Sequence, residues 1–479
     1  MRKYFIICVL ALVTITFLVG CNSSVSYEYP QYSEDVSEYE ETLTEANEEN
    51  KDIFQEMQRP QGRAVDISVA HGHTLVLMED GSLWGWGAGH FSMFEPRGES
   101  NLYPTFIMDD VIFAVAGEYH SMAIKTDGGL WAWGDNFWGQ IGDGTTLNRP
   151  SPVWVMDDVI YAAISPSMAS SHASGGARSY AIRSDGTLWA WGEGDGRYSP
   201  WGVVLGDGGN EDRLLPIQIL ENVASVTPTH NGGQAITLDG RLWHWHPYVL
   251  SFDVMADGDV WIEIPARLSP EVVSEFPRVG RAHFEIDEND TLWAWGENRL
   301  PSQWRDGPVL GDGTTTDRDE PVAILENVTY FTISGNTVYA ITDDGRLWGW
   351  GNFGGWGRAY IGNGSYFDSS VMWYWDSDGE IWEYVHDENG FAQGTRWLLN
   401  DGDYGIVLSP VLIMENVVRV ASNYYMLDHG WIAGFRAFAI TECGGVWAWG
   451  VNDWHSQGFG LLGDGTSENR PYPVQIIGN

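Results

Sequence analysis

Residues 127–134 read D-G-G-L-W-A-W-G, and six further segments of the chain nearly repeat them. The phrase D-G-x-L-W-x-W-G recurs at a period of roughly 50 residues, which is typical of stacked or radially arranged supersecondary units. Because the tryptophans recur with the framework and mark no single place, we expect them to be structural core residues. The first tryptophans of the seven copies are Trp84, Trp131, Trp189, Trp243, Trp293, Trp348 and Trp447.

An alternating apolar segment precedes each D-G pair, and a segment with two tryptophans follows it. This pattern predicts a β-hairpin with a two-residue turn. Trp131 and Trp133, two residues apart, are expected on one face of their strand. The chain has 58 glycines and 14% aromatic residues, and it shows no long amphipathic helical run. The sequence therefore predicts an all-β fold.

A second phrase, L-G-D-G, follows in most repeats, and a proline that opens the next strand lies eight residues after its last glycine, as from Gly144 to Pro152. By this spacing, segment 399–402 is the sixth copy in preference to segment 361–364, and 352–398 is an insertion within one repeat. The last segment, 473–479, supplies the opening strand that the first repeat lacks. We expect this C-terminal strand to pair into the first blade and close a ring.

Residues 134–146, G-D-N-F-W-G-Q-I-G-D-G-T-T, resemble the repeat of the regulator of chromosome condensation family. The resemblance covers 61–479 and implies a seven-bladed β-propeller. The first repeat lacks L-G-D-G and the fourth reads W-H-W-H-P at 243–247, so two repeats depart from the pattern. The family's eukaryotic member is an exchange factor for a small GTPase and docks on chromatin. Secreted bacterial members include β-lactamase inhibitors, which bind an enzyme through one face of the ring.

The N-terminus resembles a bacterial lipoprotein signal, because basic residues precede an apolar run and L-V-G-C ends at Cys21. We expect a signal peptide at 1–20, a lipid on Cys21, an acidic tether at 21–60 and the propeller at 61–479. The alternative is an ordinary secreted protein with a chance cysteine. The lipid would anchor the chain to the outer face of the bacterial cell membrane.

The formal charge is −41, from 25 Lys and Arg against 66 Asp and Glu. Such a surface repels phosphate backbones, which excludes nucleic acid as a partner. An exported chain does not meet the family's small GTPase. Only Cys443 remains beside the signal peptide and the lipid site, so no intrachain disulfide framework is expected.

Two insertions carry candidate binding residues, one near 248–264 and one at 352–398. Both read as hairpins rich in Trp and Tyr, which are typical anchors of protein interfaces. The alternative is that both hairpins pack down onto the propeller. The candidate ligand-binding residues are Trp261, Trp373, Tyr374, Trp375, Trp382 and Tyr384.

Other chemical motifs are weak. The L-G-D-G segments lack the dense oxygen ligands of calcium loops and are interpreted as turns held by Asp and Gly. His244 and His246 share a strand face, but no further zinc ligand stands at a standard spacing. No nucleophile elbow, P-loop or H-E-x-x-H motif occurs, so we predict no catalytic residue, metal or cofactor.

The sequence therefore predicts a monomeric, surface-anchored propeller that recognises an extracellular or envelope protein through loop and hairpin aromatics. The alternatives are a carbohydrate or cell-wall binding module and, less favoured, an enzyme that acts on polysaccharide with carboxylates near the central channel.

Overall fold

The computed structural model describes residues 60–70, 72–88, 100–166, 177–194, 205–209, 211–229, 232–245, 262–265, 282–298, 310–334, 337–352, 359–360, 362, 366–367, 373–375, 381–386, 392–397, 406–427, 431–452 and 460–478. The chain divides into two compact units, Met1–Glu56 and Met57–Asn479, and all of these residues belong to the second. Within the described ranges, no helix combines the length and apolarity that a membrane span requires.

Among the described residues, seven antiparallel sheets follow one another along the chain and are numbered in that order, and successive strands are neighbours within each. Six of them have four described strands, and sheet 5 has three, of which the first, β17, holds the second-strand position. The all-β prediction is therefore confirmed. Sheets 1 to 3 contain β1 (Ala64–Val69), β2 (His73–Met78), β3 (Leu83–Gly87) and β4 (Asn101–Met108); β5 (Val111–Ala116), β6 (His120–Lys125), β7 (Leu130–Gly134) and β8 (Arg149–Met156); and β9 (Val159–Ile164), β10 (Arg178–Arg183), β11 (Leu188–Gly192) and β12 (Arg213–Leu220).

Sheets 4 to 7 continue the same order, and sheet 6 takes its fourth strand from beyond the long insertion. They contain β13 (Val223–Pro228), β14 (Gly233–Thr237), β15 (Arg241–Trp245) and β16 (Ile262–Pro265); β17 (Ala282–Ile286), β18 (Leu292–Gly296) and β19 (Arg318–Leu325); β20 (Val328–Ser334), β21 (Thr337–Thr342), β22 (Leu347–Asn352) and β28 (Ile406–Met414); and β29 (Val417–Leu427), β30 (Trp431–Thr441), β31 (Val446–Gly450) and β32 (Arg470–Ile477). The insertion contributes β23 (Ala359–Tyr360), β24 (Tyr366–Phe367), β25 (Trp373–Trp375), β26 (Ile381–His386) and β27 (Ala392–Trp397).

The predicted hairpin joins the second and third strands of each sheet, but its turn is longer than predicted. In sheet 2 the Gly128 N–H donates to Lys125 O at 2.9 Å, and the Lys125 N–H donates to Gly129 O at 3.0 Å. Gly128 has a φ of 82°, a left-handed conformation that favours glycine. The connection is therefore a three-residue turn with a left-handed glycine, a common hairpin geometry that accommodates strand twist.

At the hairpin turns, one backbone hydrogen bond joins each documented pair of neighbouring sheets. In the first case the Val111 N–H, at the start of sheet 2, donates to Gly81 O in the hairpin turn of sheet 1 at 2.9 Å. The donor is always the first residue of the following sheet. The same bond joins Val159 to Gly128, Val223 to Gly186, Val328 to Asp290, Val417 to Gly345 and Ala64 to Gly444.

The bond from Ala64 to Gly444 makes sheets 7 and 1 neighbours. Ile67 and Trp86 of sheet 1 also share one buried cluster with Phe438 and Ile476 of sheet 7. The first strands of neighbouring sheets contact each other, as β1 does with β5 and with β29. The first strands therefore lie on the inside of the arrangement.

The C-terminal strand does not pair into the first blade, and this prediction is wrong as made. Strand β32 pairs with β31 inside sheet 7, with Val446 opposite Ile477. The error lies in the phase of the repeat, because Pro152 and Pro473 belong to the fourth strand of their own sheet and do not open the next one. Proline suits an outer strand, which needs no further ladder partner.

The boundaries of the sheet 6 insertion also differ from the prediction. Strand β22 pairs directly with β28, so the connection 353–405 lies within one sheet. The sequence predicts an insertion within one repeat at 352–398. Gly362 lies against Trp449 of the next sheet, where an added Cβ would stand 2.8 Å from the indole nitrogen. Gly142 has the same relation to Trp191, at 2.6 Å. Gly362 therefore holds in sheet 6 the position that Gly142 holds in sheet 2. The copy that the proline spacing predicted, 399–402, lies outside the described residues.

The two tryptophans of each repeat have different surroundings. The second of the pair is buried in six of the seven sheets, and the Trp191 indole N–H donates to Gln140 O of sheet 2 at 2.9 Å. The first is half-buried over the hairpin turn, where the Trp189 N–H donates to Thr187 Oγ1 at 2.8 Å. The second tryptophan therefore links neighbouring sheets, and the first packs over the hairpin turn of its own sheet.

Candidate binding surfaces at the loop end and the turn end

The sheets have two distinct ends, which we name the loop end and the turn end. At the loop end the second strand of each sheet begins and the third ends, as at His73 and Gly87. At the turn end lie the hairpin turns and the starts of the first strands, as at Gly81 and Val111. The long connections between third and fourth strands, including the sheet 6 insertion, all belong to the loop end.

Buried polar side chains cross between sheets at the loop end. His73 Nε2 lies 2.7 Å from Ser121 Oγ of the next sheet, and His120 Nε2 lies 2.7 Å from Ser179 Oγ. The Ser179 hydroxyl donates to Gln140 O at 2.8 Å. Its single proton is thus engaged, so His120 Nε2 is the donor to Ser179.

Arginines make the same crossing in two other sheets. Arg178 donates to Thr229 O at 3.0 Å, and Arg436 of sheet 7 donates to Ala70 O of sheet 1. Both occupy the register position of His73 and His120, opposite the last glycine of W-x-W-G. We call these four residues, His73, His120, Arg178 and Arg436, the polar row.

The lowered pKa values of the histidines in the polar row indicate a structural role. Burial, followed by the charges of Arg436 and His120, lowers the pKa of His73 from 6.5 to about 3. Burial lowers the pKa of His120 from 6.5 to about 3 as well. Both imidazoles are therefore neutral near pH 7 and serve as hydrogen-bonding links between sheets.

Glu193 stands directly after the W-x-W-G of sheet 3 and is fully buried. Within the described part of the chain neither of its carboxylate oxygens has a hydrogen-bond partner. Burial raises its pKa, the charge of Arg178 opposes this, and Asp212 raises it further. Glu193 is thus a buried acid that interacts electrostatically with the Arg178 guanidinium and the Asp212 carboxylate.

The L-G-D-G turns are held by their own aspartates. Asp143 Oδ2 accepts from Arg149 Nε at 2.6 Å, and its Oδ1 accepts from the Thr145 N–H at 2.9 Å. Although burial raises the pKa of Asp143, hydrogen bonds from Thr145 and Arg149 lower it overall. The carboxylate is occupied by protein donors, which fits the interpretation as a turn. The same Arg-Asp pair recurs as Arg213 with Asp207, Arg318 with Asp312 and Arg470 with Asp464.

The predicted binding residues of the sheet 6 insertion lie on backbone strands that form a separate three-stranded sheet, β25-β26-β27. Tyr374 pairs with Trp382, and Trp382 pairs with Trp397, so three aromatic residues share one register level. Trp373 and Trp375 pair with Glu383 and Ile381, and Tyr384 pairs with Thr395.

The smaller insertion is only partly described. Trp261 and the rest of the segment 248–261 lie outside the described residues. Ile262 opens β16, which pairs with β15 as the fourth strand of sheet 4. Ile262 is thus a framework residue of sheet 4, and Pro265 ends the same strand.

The turn end carries exposed side chains at one repeated position. Each described first strand has a β-bulge at its second residue, as between Val111 and Phe113. A bulge redirects the extra side chain, and here that side chain is exposed in every case. We call these residues the bulge ring: Val65, Ile112, Ile160, Ala224, Thr329 and Val418.

Sequence reasoning missed the polar row and the bulge ring. The polar row mixes His and Arg, so only its fixed distance before the D-G turn could have revealed it. Buried Asn136, which accepts from the Ile141 N–H at 2.9 Å, was also missed. Its signal is W-G-x-N, which recurs at Asn298 and Asn452.

Two family models match the chain, both described as the regulator of chromosome condensation (RCC1) repeat, over residues 111–140 and 127–172. The mitochondrial RCC1 domain-containing protein RUG3 of Arabidopsis thaliana is 28% identical over 298 residues, which is 57% of this chain and 62% of RUG3. The ultraviolet-B receptor UVR8 of the same plant is 25% identical over 331 residues, 63% of this chain and 68% of the receptor. The match thus spans less than two thirds of RUG3.

Among solved structures, Prp20p of Saccharomyces cerevisiae, described with its binding to Gsp1p and histones, has a TM-score of 0.50 at 15% identity and covers 89% of each chain. Yeast RCC1 (Prp20) bound to Kap60 has a TM-score of 0.50 at 14% identity, covering 97% of this chain and 92% of that one. At such identity the likeness shows the fold. Residues 111–172 therefore match the RCC1 repeat, and the antiparallel sheets of the chain resemble the fold of yeast RCC1.

Proposed function

We propose that this chain is an exported, lipid-anchored propeller that binds an extracellular protein at its loop end. The observation that carries the proposal is the separate three-stranded sheet of the insertion, with Tyr374, Trp382 and Trp397 at one register level. Tyr and Trp dominate the energetic centres of protein interfaces. Binding sites also concentrate on loops that a rigid scaffold positions.

The scaffold is proposed to be a closed ring of seven blades. Sheet 7 contacts sheet 1 through the same bond, Ala64 to Gly444, that joins the other neighbours. A ring leaves no unpaired face at either end of the repeat array, and its outer strands carry prolines that discourage edge pairing. The lipid anchor at Cys21 rests on the sequence of the first 21 residues.

Protein binding is favoured by the relatives as well. Prp20p is described as binding Gsp1p and histones, and Kap60 is bound to the same yeast protein. The acidic charge of −41 and the proposed export argue against those partners here. We therefore propose the mode of action, binding through a propeller, and a different partner. No catalytic role is proposed.

The test is capture of envelope and secreted proteins by the full-length chain, followed by measured affinity for the captured protein. Trp382→Ala and Trp397→Ala should each weaken that affinity about tenfold or more, because interface aromatics commonly contribute over 1 kcal/mol. Trp154→Ala is the matched control, since Trp154 is an exposed tryptophan on the outer strand of sheet 2.

Three outcomes would contradict the proposal. Equal loss in Trp154→Ala would show a nonspecific effect. Unchanged affinity in both insertion variants would remove the insertion from the interface. Competition by soluble sugars, with glycan and no protein captured, would favour the carbohydrate-binding alternative. Separately, Cys21→Ser should release the chain into the medium, and retention of that variant on cells would exclude the lipid anchor.

A further inference from the structure

The turn end carries a second surface, distinct from the insertion. We propose that the bulge ring, across sheets 7, 1, 2 and 3, is a docking surface for a basic amphipathic segment of another protein. The segment would present aliphatic or aromatic side chains flanked by lysine or arginine. This proposal is independent of the loop-end binding described above.

The bulge ring carries large aliphatic side chains in four neighbouring sheets. Its four members in sheets 7, 1, 2 and 3 are Val418, Val65, Ile112 and Ile160, with exposed fractions of 55%, 45%, 56% and 61%. Single exposed aliphatic residues need no explanation. Four at one repeated position, on first strands that contact each other, form an arc that a partner can cover.

An aromatic contact makes the arc continuous between sheets 2 and 3. Phe113 and Tyr161, which follow Ile112 and Ile160, have ring centroids 5.6 Å apart. Tyr161 remains partly exposed to solvent, although surrounding protein raises its pKa by desolvation. The Phe113–Tyr161 ring pair therefore adds aromatic surface between the exposed side chains of Ile112 and Ile160.

The rim of the arc is negatively charged. Asp109 and Asp110 precede the first strand of sheet 2, and Asp157 and Asp158 precede that of sheet 3; all four are exposed. Lys125 lies 3.7 Å from Asp110, and Arg183 lies 2.7 Å from Asp158. These two cations offset only one carboxylate of each pair, so each pair retains net negative charge.

The negative charge of the rim determines which kind of partner can bind to the arc. A second copy of this chain would bring its own carboxylates against this rim, and a net charge of −41 opposes self-association. Anionic lipid headgroups are repelled for the same reason. A cationic segment is attracted, and its apolar side chains can cover the arc, so both properties are required of the partner.

The test uses the full-length chain and a fluorescent peptide of alternating lysine and leucine, with binding followed by anisotropy. Ile112→Ser combined with Ile160→Ser should weaken peptide binding about tenfold, since two exposed aliphatic side chains lose their burial against the peptide. Leu147→Ser combined with Leu215→Ser is the matched control, because both leucines are exposed and lie outside the bulge ring. Binding should also weaken as salt rises from about 0.05 to 0.5 M.

The proposal is overturned if the control loses as much affinity as the Ile112 and Ile160 variant, or if that variant binds like wild type. It is equally overturned if wild type does not bind the peptide, or if a peptide with serine in place of leucine binds as well. If wild type were a dimer and the isoleucine variant a monomer, the bulge ring would bind a second copy of this chain and not another protein. Trp382→Ala should leave peptide binding unchanged, which separates this surface from the loop-end function.

Discussion

The turn end and the loop end join neighbouring sheets by different means. At the turn end, six junctions use one backbone hydrogen bond of 2.7 to 3.0 Å, whatever the side chains. At the loop end, specific side chains, such as His120 on Ser179 and Trp191 on Gln140 O, join the sheets in addition to backbone bonds such as Gly144 N–H to Leu214 O. A junction made by the backbone leaves its side chains free, whereas one made by side chains commits them to the fold.

This difference predicts where binding can evolve at each end. Turn-end specificity can reside in single exposed residues, such as those of the bulge ring, because changing them leaves the inter-sheet bond in place. Loop-end specificity has to reside beyond the committed side chains, in the connections themselves. The connection 353–405 has its own small sheet, which fits that expectation.

The largest effect is expected from breaking a loop-end junction. Trp191 is fully buried between sheets 2 and 3, so Trp191→Ala should lower the free energy of unfolding by about 3–5 kcal/mol. Trp189→Ala is the matched control in the same strand, and it should cost clearly less because Trp189 is half-buried at the turn end. Urea denaturation measures both. Equal losses would contradict the division of labour between the two tryptophans.

The proposed ring closure can be sharpened at the turn end. Gly444 has a φ of 84°, and an added Cβ would lie 2.5 Å from Arg63 Cα, next to the bond that joins sheets 7 and 1. Gly444→Ala should therefore cost about 2–4 kcal/mol, from left-handed strain plus the clash.

The control for Gly444 is another turn glycine. Gly128 has a φ of 82°, but its nearest neighbour, Asp158 Cα, would be 3.4 Å away. Gly128→Ala should thus cost only the left-handed strain, about 1–2 kcal/mol. If urea denaturation gave the same loss for both variants, sheets 7 and 1 would not be in tight contact in solution.

The two ends also differ in how far the sequence predicts them. The hairpins and the strands with paired tryptophans follow from local alternation and turn residues, so sequence reasoning placed them in all seven repeats. The polar row depends on contacts across sheets: Ser121 lies 48 residues from His73, and no local pattern links them. Such contacts are set by the packing of one sheet against the next and not by neighbours in sequence.

The sheet 6 turn shows the same limit. The spacing to the following proline favoured 399–402, because that distance is constant in the regular repeats. Contact with the next sheet points to another residue, since only glycine fits against Trp449 and Gly362 is found there. Spacing therefore identified the insertion as a whole but not the point at which it leaves the framework.

The smallest effect per residue, and one confined to the loop end, is expected from acid. The folded-state pKa of His73 and of His120 is lowered from 6.5 to about 3, so the unfolded chain binds more protons between these values. The stability present above pH 6.5 is then lost as pH falls, by about 2 kcal/mol per histidine at pH 5. Glu193 opposes this change, because its raised pKa favours the folded state as pH falls.

Thermal midpoints measured from pH 7 to pH 5 test these expectations. The midpoint should decline less in the double variant His73→Asn, His120→Asn than in wild type, and it should decline more in Glu193→Gln. Parallel declines in all three proteins would mean that these buried groups do not set the acid sensitivity, and that charging them at the loop end costs no stability.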